Sequence, residues 1–450
     1  FSTSGWTFAN TLGGLTVGKT TNTSVVSLYD ATIAGPITAY GGTINVNGNL
    51  NTTAAATLGD VLLKSSGDIS LATTKSITTN GGDVVVWSNS DNQTSTGSIM
   101  LYGGSSITTG GGHLWMAGGA DSATQWHGLT VGDGYAVSGT TISGTGNAAN
   151  FDKVGVFLEE ATLSTSGGDI YIRGKTTTFR GFLATGTVTL DAGAGKIYIE
   201  GQAVGDGGGA GAGWHHSTTT AYRNGIFTLT SSNAASDAIT WISDASQSVG
   251  TGLVSNGAGE GAGMAGTTSL VTTGGGGISF TSLGSSTKAG AYGVRLGYLT
   301  TQGGVLNLLA DSGAITLNTG TRSVGIVNNL GSATLGALTG SAVGTSSSNI
   351  TVISDDVSAS GTMAFNTSGA LTIRPTDGHS FTNTFNTAYL TYQGGVSGLT
   401  IGQSSNTGGV TVGSTTTIAG PVTIYGGAIA INAPLTATNN TIKLTGTTIT

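Results

Sequence analysis

Few side chains in this chain can do chemistry. Only 8% of its 450 residues are charged, and its glutamates are Glu159, Glu160, Glu200 and Glu260. Hydrolysis or elimination on a sugar chain needs a carboxylate working with a second acid or base across a cleft. Two acid pairs are adjacent in sequence, Glu159-Glu160 and Asp355-Asp356. On a strand, consecutive side chains point to opposite faces, so neither pair is expected to act together, and each acid reads as a solvated surface position. His215-His216 follow Trp214 in a glycine-rich stretch, where alternate faces make joint ligation awkward. His113, His127 and His379 have no partner at helical i, i+4 spacing, and cysteine is absent, which removes thiolate sites and disulfides. GLTVGKTT (Gly14 to Thr21) holds Gly-Lys-Thr without the GxxxxGK spacing of a phosphate loop. The residues therefore assign no catalytic group, no metal ligand and no cofactor.

The six tryptophans are the remaining chemical signal. An aromatic face stacks well on a sugar ring. Trp87 and Trp115 lie within apolar runs after glycine pairs, so they are expected at equivalent places as a structural stack. Trp126 and Trp214 stand in less regular sequence and are the candidate ligand-binding residues.

The elements that must position these side chains follow one grammar: an aliphatic residue, Ser or Thr, another residue, Gly-Gly, then alternating aliphatics. ITAYGGTINV, ITTNGGDVVVW, ITTGGGHLWM, LSTSGGDIYI, VTTGGGGISF, LTTQGGVLNL and VTIYGGAIAI all follow this plan. Spacing of two between apolar residues is strand periodicity. Gly-Gly supplies the positive-φ conformations of a sharp corner without a Cβ penalty. Recurrence at variable spacing is what a stack of coils with loop insertions leaves behind.

A longer period lies over this one. GLTVGKTTNT (Gly14 to Thr23) and ATIAGPITAYGGTINVN (Ala31 to Asn47) return as GLTIGQSSNT (Gly398 to Thr407) and TTIAGPVTIYGGAIAIN (Thr416 to Asn432). The offset is 384 at Leu15 and Leu399 but 385 at Pro36 and Pro421, so the turn between the segments differs by one residue. Residues 1–450 thus read as one continuous segment, with one period of about 385 residues (about 14–398) and the start of the next (398–450).

The expected fold is all-β, a parallel β-solenoid (right-handed β-helix) with Gly-rich loop insertions. With roughly 20 to 28 residues per coil it would make on the order of 18 coils. Gly205 to Gly225 and Val254 to Ser269 are expected to protrude as loops, because both are rich in glycine and poor in alternation. A solenoid cut from an array should leave strand edges open, so the adjoining repeats, end to end, are its expected partners. The net charge of −7 has no basic run, which argues against nucleic acid. No apolar stretch approaches the roughly 18 to 20 residues needed to span a bilayer.

The Gly-Gly strand pairs, the two recurring segments and the absence of cysteine resemble giant repetitive bacterial surface adhesins of the filamentous-haemagglutinin type. The resemblance implies a β-helical shaft at the cell surface of a Gram-negative bacterium, serving attachment, with host, substratum or neighbouring-cell glycans as partners. The composition is also similar to that of the gliding adhesins of Bacteroidetes. A β-helical polysaccharide-binding or polysaccharide-cleaving protein is the remaining alternative. The sequence reads as a structural protein rather than an enzyme.

Overall fold

The computed structural model describes residues 1–93, 97–120, 123–137, 154–177, 180–204, 211–215, 225–248, 262–264, 266–285, 287, 291–296, 304–326, 332–336, 346–359, 362–393 and 395–450. Its elements are short strands joined by turns, with two 3₁₀ turns and no α-helix among the described residues. No helix among them is long and apolar enough to cross a membrane.

The chain winds as a three-faced parallel β-solenoid. Leu15–Val17, Val25–Leu28 and Ala31–Ile33 lie one on each face. Each pairs in parallel with its counterpart in the next coil: Leu15 with Ile37, Val26 with Ile44, and Ala31 with Leu50. The third face continues as a 12-stranded sheet, while the first two merge into a 25-stranded one. They merge because Ile315–Ile326 and Ile350–Ala359 run through the corner from one face to the next. The first face makes fourteen successive parallel pairings, from Leu15–Val17 to Ile442–Thr445. That is fewer coils than the sequence estimate. The reason is coil length, which ranges from 20 residues (Val422 to Ile442) to 56 (Leu114 to Ile170).

Alternation explains the core. Inward Ile37, Val61, Val84, Leu114, Ile170 and Ile197 form a column of buried aliphatics along the axis. Each such side chain contributes on the order of 1.5–3 kcal/mol. That column stays aliphatic through Ile239 and Ile278. The adjacent inward column swells to aromatics in the middle coils, where Trp241 packs against Phe227 of the third face at 5.4 Å and Phe280 at 5.3 Å.

The Gly-Gly corner works differently from expectation. The first glycine has positive φ at Gly81, Gly111, Gly167 and Gly275, but neither Gly41 nor Gly42 does. The second glycine is fixed by stacking. A Cβ on Gly112 would lie 2.2 Å from the Gly82 carbonyl oxygen, and one on Gly168 would lie 2.0 Å from that of Gly112. The preceding threonine closes the corner from inside: buried Thr79, Thr109 and Thr165 donate to the carbonyls of Gly82, Gly112 and Gly168.

Both Gly-rich segments contain strand residues. Gly211–His215 pairs in parallel with Arg180–Thr185, and Thr267–Thr272 pairs with Ile226–Ser231. Residues 205–210, 216–224, 254–261 and 265, to which the rest of the loop expectation applies, lie outside the described residues.

The long repeat occupies equivalent coils. Leu15 pairs with Ile37 and Leu399 with Val422, while Val26 pairs with Ile44 and Val410 with Ile429. Asn22 Nδ2 donates to the Tyr40 carbonyl at 2.8 Å, and Asn406 Nδ2 to that of Tyr425 at 2.9 Å. Gly18 and Gly402 share a positive φ, 80° and 78°. The offset changes between Leu28 and Ala31 on one side and Val412 and Thr416 on the other. Tyr29-Asp30 there corresponds to Gly413-Ser414-Thr415.

Candidate functional site

The outward column of the first face carries a change of chemistry. It reads Thr16, Thr38, Leu62, Val85, Trp115, Tyr171, Tyr198, Thr240, Ser279 and Thr316 in successive coils. Small hydroxyl residues give way to a five-coil apolar and aromatic patch, then return.

The longest coil supplies the cover for this patch. After Leu114–Ala117 the chain leaves the solenoid and forms a hairpin in which Trp126 pairs with Leu129. His127 (φ 49) and Gly128 (φ 82) make its two-residue turn, whose double positive φ matches the twist of the strands. This excursion packs over the outer face, where Val85, Trp87, Trp115, Ala117 and Val131 form a second buried cluster. Trp87 donates Nε1–H to the Gly119 carbonyl at 2.9 Å, and Lys64 Nζ sits 3.7 Å from the centre of its ring. Trp87 and Trp115 are therefore structural, but they are not at equivalent places. Trp115 pairs in register with Val85, and Trp87 with Ala117, so the two indoles meet edge to face across a diagonal, 5.9 Å apart.

Trp126 stands at the rim of this cover, 5.7 Å from the Tyr171 ring. The aromatic column runs out from under it: Trp115 is parallel to Tyr171 at 6.4 Å, and Tyr171 to Tyr198 at 4.8 Å. Trp126, Asp169, Tyr171, Lys196, Tyr198, Asp237 and Thr240 line a shallow groove of about 140 Å³, open to solvent. Lys196 Nζ bridges to Asp237 Oδ1 at 2.7 Å. Beside the groove, Glu200 accepts from Arg173 Nε at 2.8 Å, from the Tyr198 hydroxyl at 2.8 Å and from the Tyr135 hydroxyl. Burial, helped by the Glu200 bond, pushes the Tyr135 phenol up to about 12 and Tyr198 higher still, so both remain donors.

Trp214, the other candidate, lies on the strand Gly211–His215, in register with Leu183 and Gly263. Its side chain lies outside the described residues, as does His216. The structure thus brings Trp126 into a groove and places the Trp214 backbone on the second face. Sequence reasoning missed Tyr171, Tyr198, Lys196 and Asp237. The signal was the recurrence of IYI in DIYIRG and KIYIEG, which places two tyrosines on one outward column.

Three groups at the edge of this site meet the simplest test for a cation. Ligand atoms of His113, His127 and Asp169 lie within 4.8 Å of one another. Their geometry does not fit one. The two imidazoles are stacked at 3.9 Å and 8°, so their in-plane lone pairs run parallel instead of converging. His113 Nδ1 already accepts the Asp169 N–H at 2.9 Å, and His127 Nε2 meets Asp169 Oδ2 at 2.8 Å. His113 belongs to a backbone-binding column that follows the glycine corner. Asp60 accepts the Asp83 N–H, Asp83 that of His113, His113 that of Asp169, and Asp169 that of Lys196. Acting as an acceptor requires a neutral ring. Burial, then His127, holds the His113 pKa below its ordinary value.

The acid pairs also depart from expectation. Glu159 is 1% exposed, and its Oε2 accepts the Gly103 N–H at 3.2 Å. Glu160 adopts φ 49°, which breaks strand alternation and swings its carboxylate toward the same spot. A Cβ on Gly103 would lie 3.6 Å from Glu160 Oε2 and 3.8 Å from Glu159 Oε2. Burial raises the pKa of Glu159, and the charge of Glu160 adds to it. Asp355, 3% exposed, accepts the Thr376 N–H and pairs with His379, both at 2.8 Å. These buried acids tie down corners and loops.

Comparison with protein-family models, with curated proteins and with solved structures finds no match to this chain.

Proposed function

We propose that this chain is the repeat region of an extracellular filamentous adhesin, an elongated shaft on the surface of a Gram-negative bacterium. The observation that carries the reading is the long repeat: residues 384 to 385 positions apart occupy coils with the same register and the same asparagine bond to the corner carbonyl. A period that closes on its own starting geometry can be repeated without a break in the ladders, and each copy then lengthens the rod. Parallel backbone pairing on three faces supplies stiffness. A stiff rod of indefinite length suits a protein that holds binding surfaces away from a cell.

Electron microscopy of chains with one and two copies of residues 14–398 tests the proposal. Twelve coil steps separate Leu15 from Leu399, so the second copy should add about 60 Å to a straight rod. Antibody to the chain should label intact cells of the source organism, and external protease should remove the label. Two beads on a flexible link, or a label that appears only after lysis, would overturn it.

A further inference from the structure

We propose that the groove between Trp126 and Tyr198 binds a neutral hexopyranose chain with equatorial hydroxyls. The outward column stays aromatic one coil beyond what the cover packs on. In most coils outside the patch this position is Thr or Ser, with Lys443 in the last, so the solenoid does not require an aromatic there. Leu62, Val85 and Trp115 have a structural reason to depart from that pattern, because the excursion after Ala117 packs on them. Tyr171 is shared between that cluster and the groove. Tyr198 lies one coil beyond it and is not part of the cluster. One face of its ring stacks on Tyr171. Its register partner on the other side is Thr240, whose small side chain leaves the groove open there.

The chemistry of the lining selects the class of ligand. A pyranose with equatorial hydroxyls presents a C–H face that stacks on an aromatic ring and a rim of hydroxyls that both donate and accept. The groove offers both kinds of partner. Tyr198 and Trp126 supply aromatic surface, while Asp169 and Asp237 accept and Lys196 donates. The Trp126 indole N–H has no hydrogen-bond partner among the described residues, so it is available to a ligand hydroxyl. Two carboxylates against one lysine disfavour uronic, sulfated and phosphate-bearing chains. That excludes the main competing planar ligand, a nucleotide, and leaves the uncharged glycan. The proposal does not depend on the chain being part of a shaft.

Titration calorimetry with cellohexaose and chitohexaose, alongside hexagalacturonate, tests it on the full chain. A neutral hexasaccharide should bind with a dissociation constant of about 0.1–1 mM, as expected for a shallow open groove. Tyr198→Thr installs the residue type of the following coil and should reduce affinity at least tenfold, with only a modest fall in melting temperature from the lost Glu200 bond and Tyr171 stack. Thr240→Trp, which fills the space beside Tyr198, should also abolish binding. Trp126→Ala should weaken it to a similar degree. Hexagalacturonate should bind at least tenfold more weakly than the neutral sugars. Absence of binding by both neutral sugars at 10 mM, affinity unchanged in Tyr198→Thr and Thr240→Trp, or preference for the anionic chain would each overturn the proposal.

Discussion

At the residue scale, the solenoid depends on corners where backbone meets backbone. Gly112 is one such case, because the atom that a Cβ would strike is the fixed carbonyl oxygen of Gly82, 2.2 Å away. Gly112→Ala should therefore cost on the order of 2–3 kcal/mol, the range for forced overpacking, measured by chemical denaturation. Gly111 at φ 124° has open space around its Cβ position, so the same change there should cost about 1 kcal/mol through backbone strain alone. Equal losses at the two sites would mean that close approach is not what fixes the second glycine. His113 makes a different demand, for a lone pair at Nδ1. It faces His127, Asp83, Asp169 and Trp126. Its pKa is lowered in the fold, so its contribution is intact above the unfolded value near 6.5 and is lost as pH falls through the folded value. Asn349 plays the same acceptor role toward Ala370 at 2.9 Å with a group that does not titrate. His113→Asn should flatten the loss of stability below pH 6.5, read as melting temperature against pH. An unchanged acid slope would place the titration elsewhere.

At the element scale, much of the fold was legible because alternation and solenoid burial share a period of two. DIYIRG and KIYIEG show inward Ile and outward Tyr directly. What was not legible depends on pairing with other coils. Gly211–His215 is poor in strand formers, yet it is a strand, because a ladder partner on each side supplies its backbone bonds. Glu159 and Glu160 converge because one residue adopts a positive φ, which no side-chain pattern announces. The groove was half legible: Trp126 stood out as irregular, but its partners lie in coils that begin more than forty residues later. The hairpin that carries Trp126 should be separable from the coils beneath. Replacing His127-Gly128 with Ala-Ala adds a Cβ at positive φ at position 128 and removes the His127–Asp169 contact, and should cost the hairpin about 1–2 kcal/mol. Trp87 and Trp115 would then gain solvent, with a red-shifted fluorescence and faster hydrogen exchange over residues 123–131. Far-ultraviolet circular dichroism should change little. Loss of the β signal as a whole would show that the hairpin is integral to the coils.

At the scale of the whole molecule, each coil touches mainly the coils on either side, so stability is a chain of nearest-neighbour couplings. Cooperative unfolding requires every coupling to be strong, and the place to test this is the aromatic centre. There Phe182, Phe227, Trp241 and Phe280 come from successive coils and replace aliphatics at inward positions on the three faces. Trp241 is fully buried, and its indole N–H is satisfied by Ser243 Oγ at 2.8 Å, so the side chain carries packing without an unmet polar group. Trp241→Ala should remove about 3–5 kcal/mol by opening a cavity between coils. In a globular domain that loss would lower a single transition. Here it should weaken one link while leaving the coils before Phe182 and after Phe280 intact. Calorimetry should then show two transitions where the parent chain shows one, and limited proteolysis should cut first between the two halves. Trp241→Phe, which keeps most of the volume in a position lined by phenylalanines, should retain a single transition. A single transition that merely shifts in Trp241→Ala would mean that coupling reaches beyond neighbouring coils, and that the rod behaves as one cooperative body.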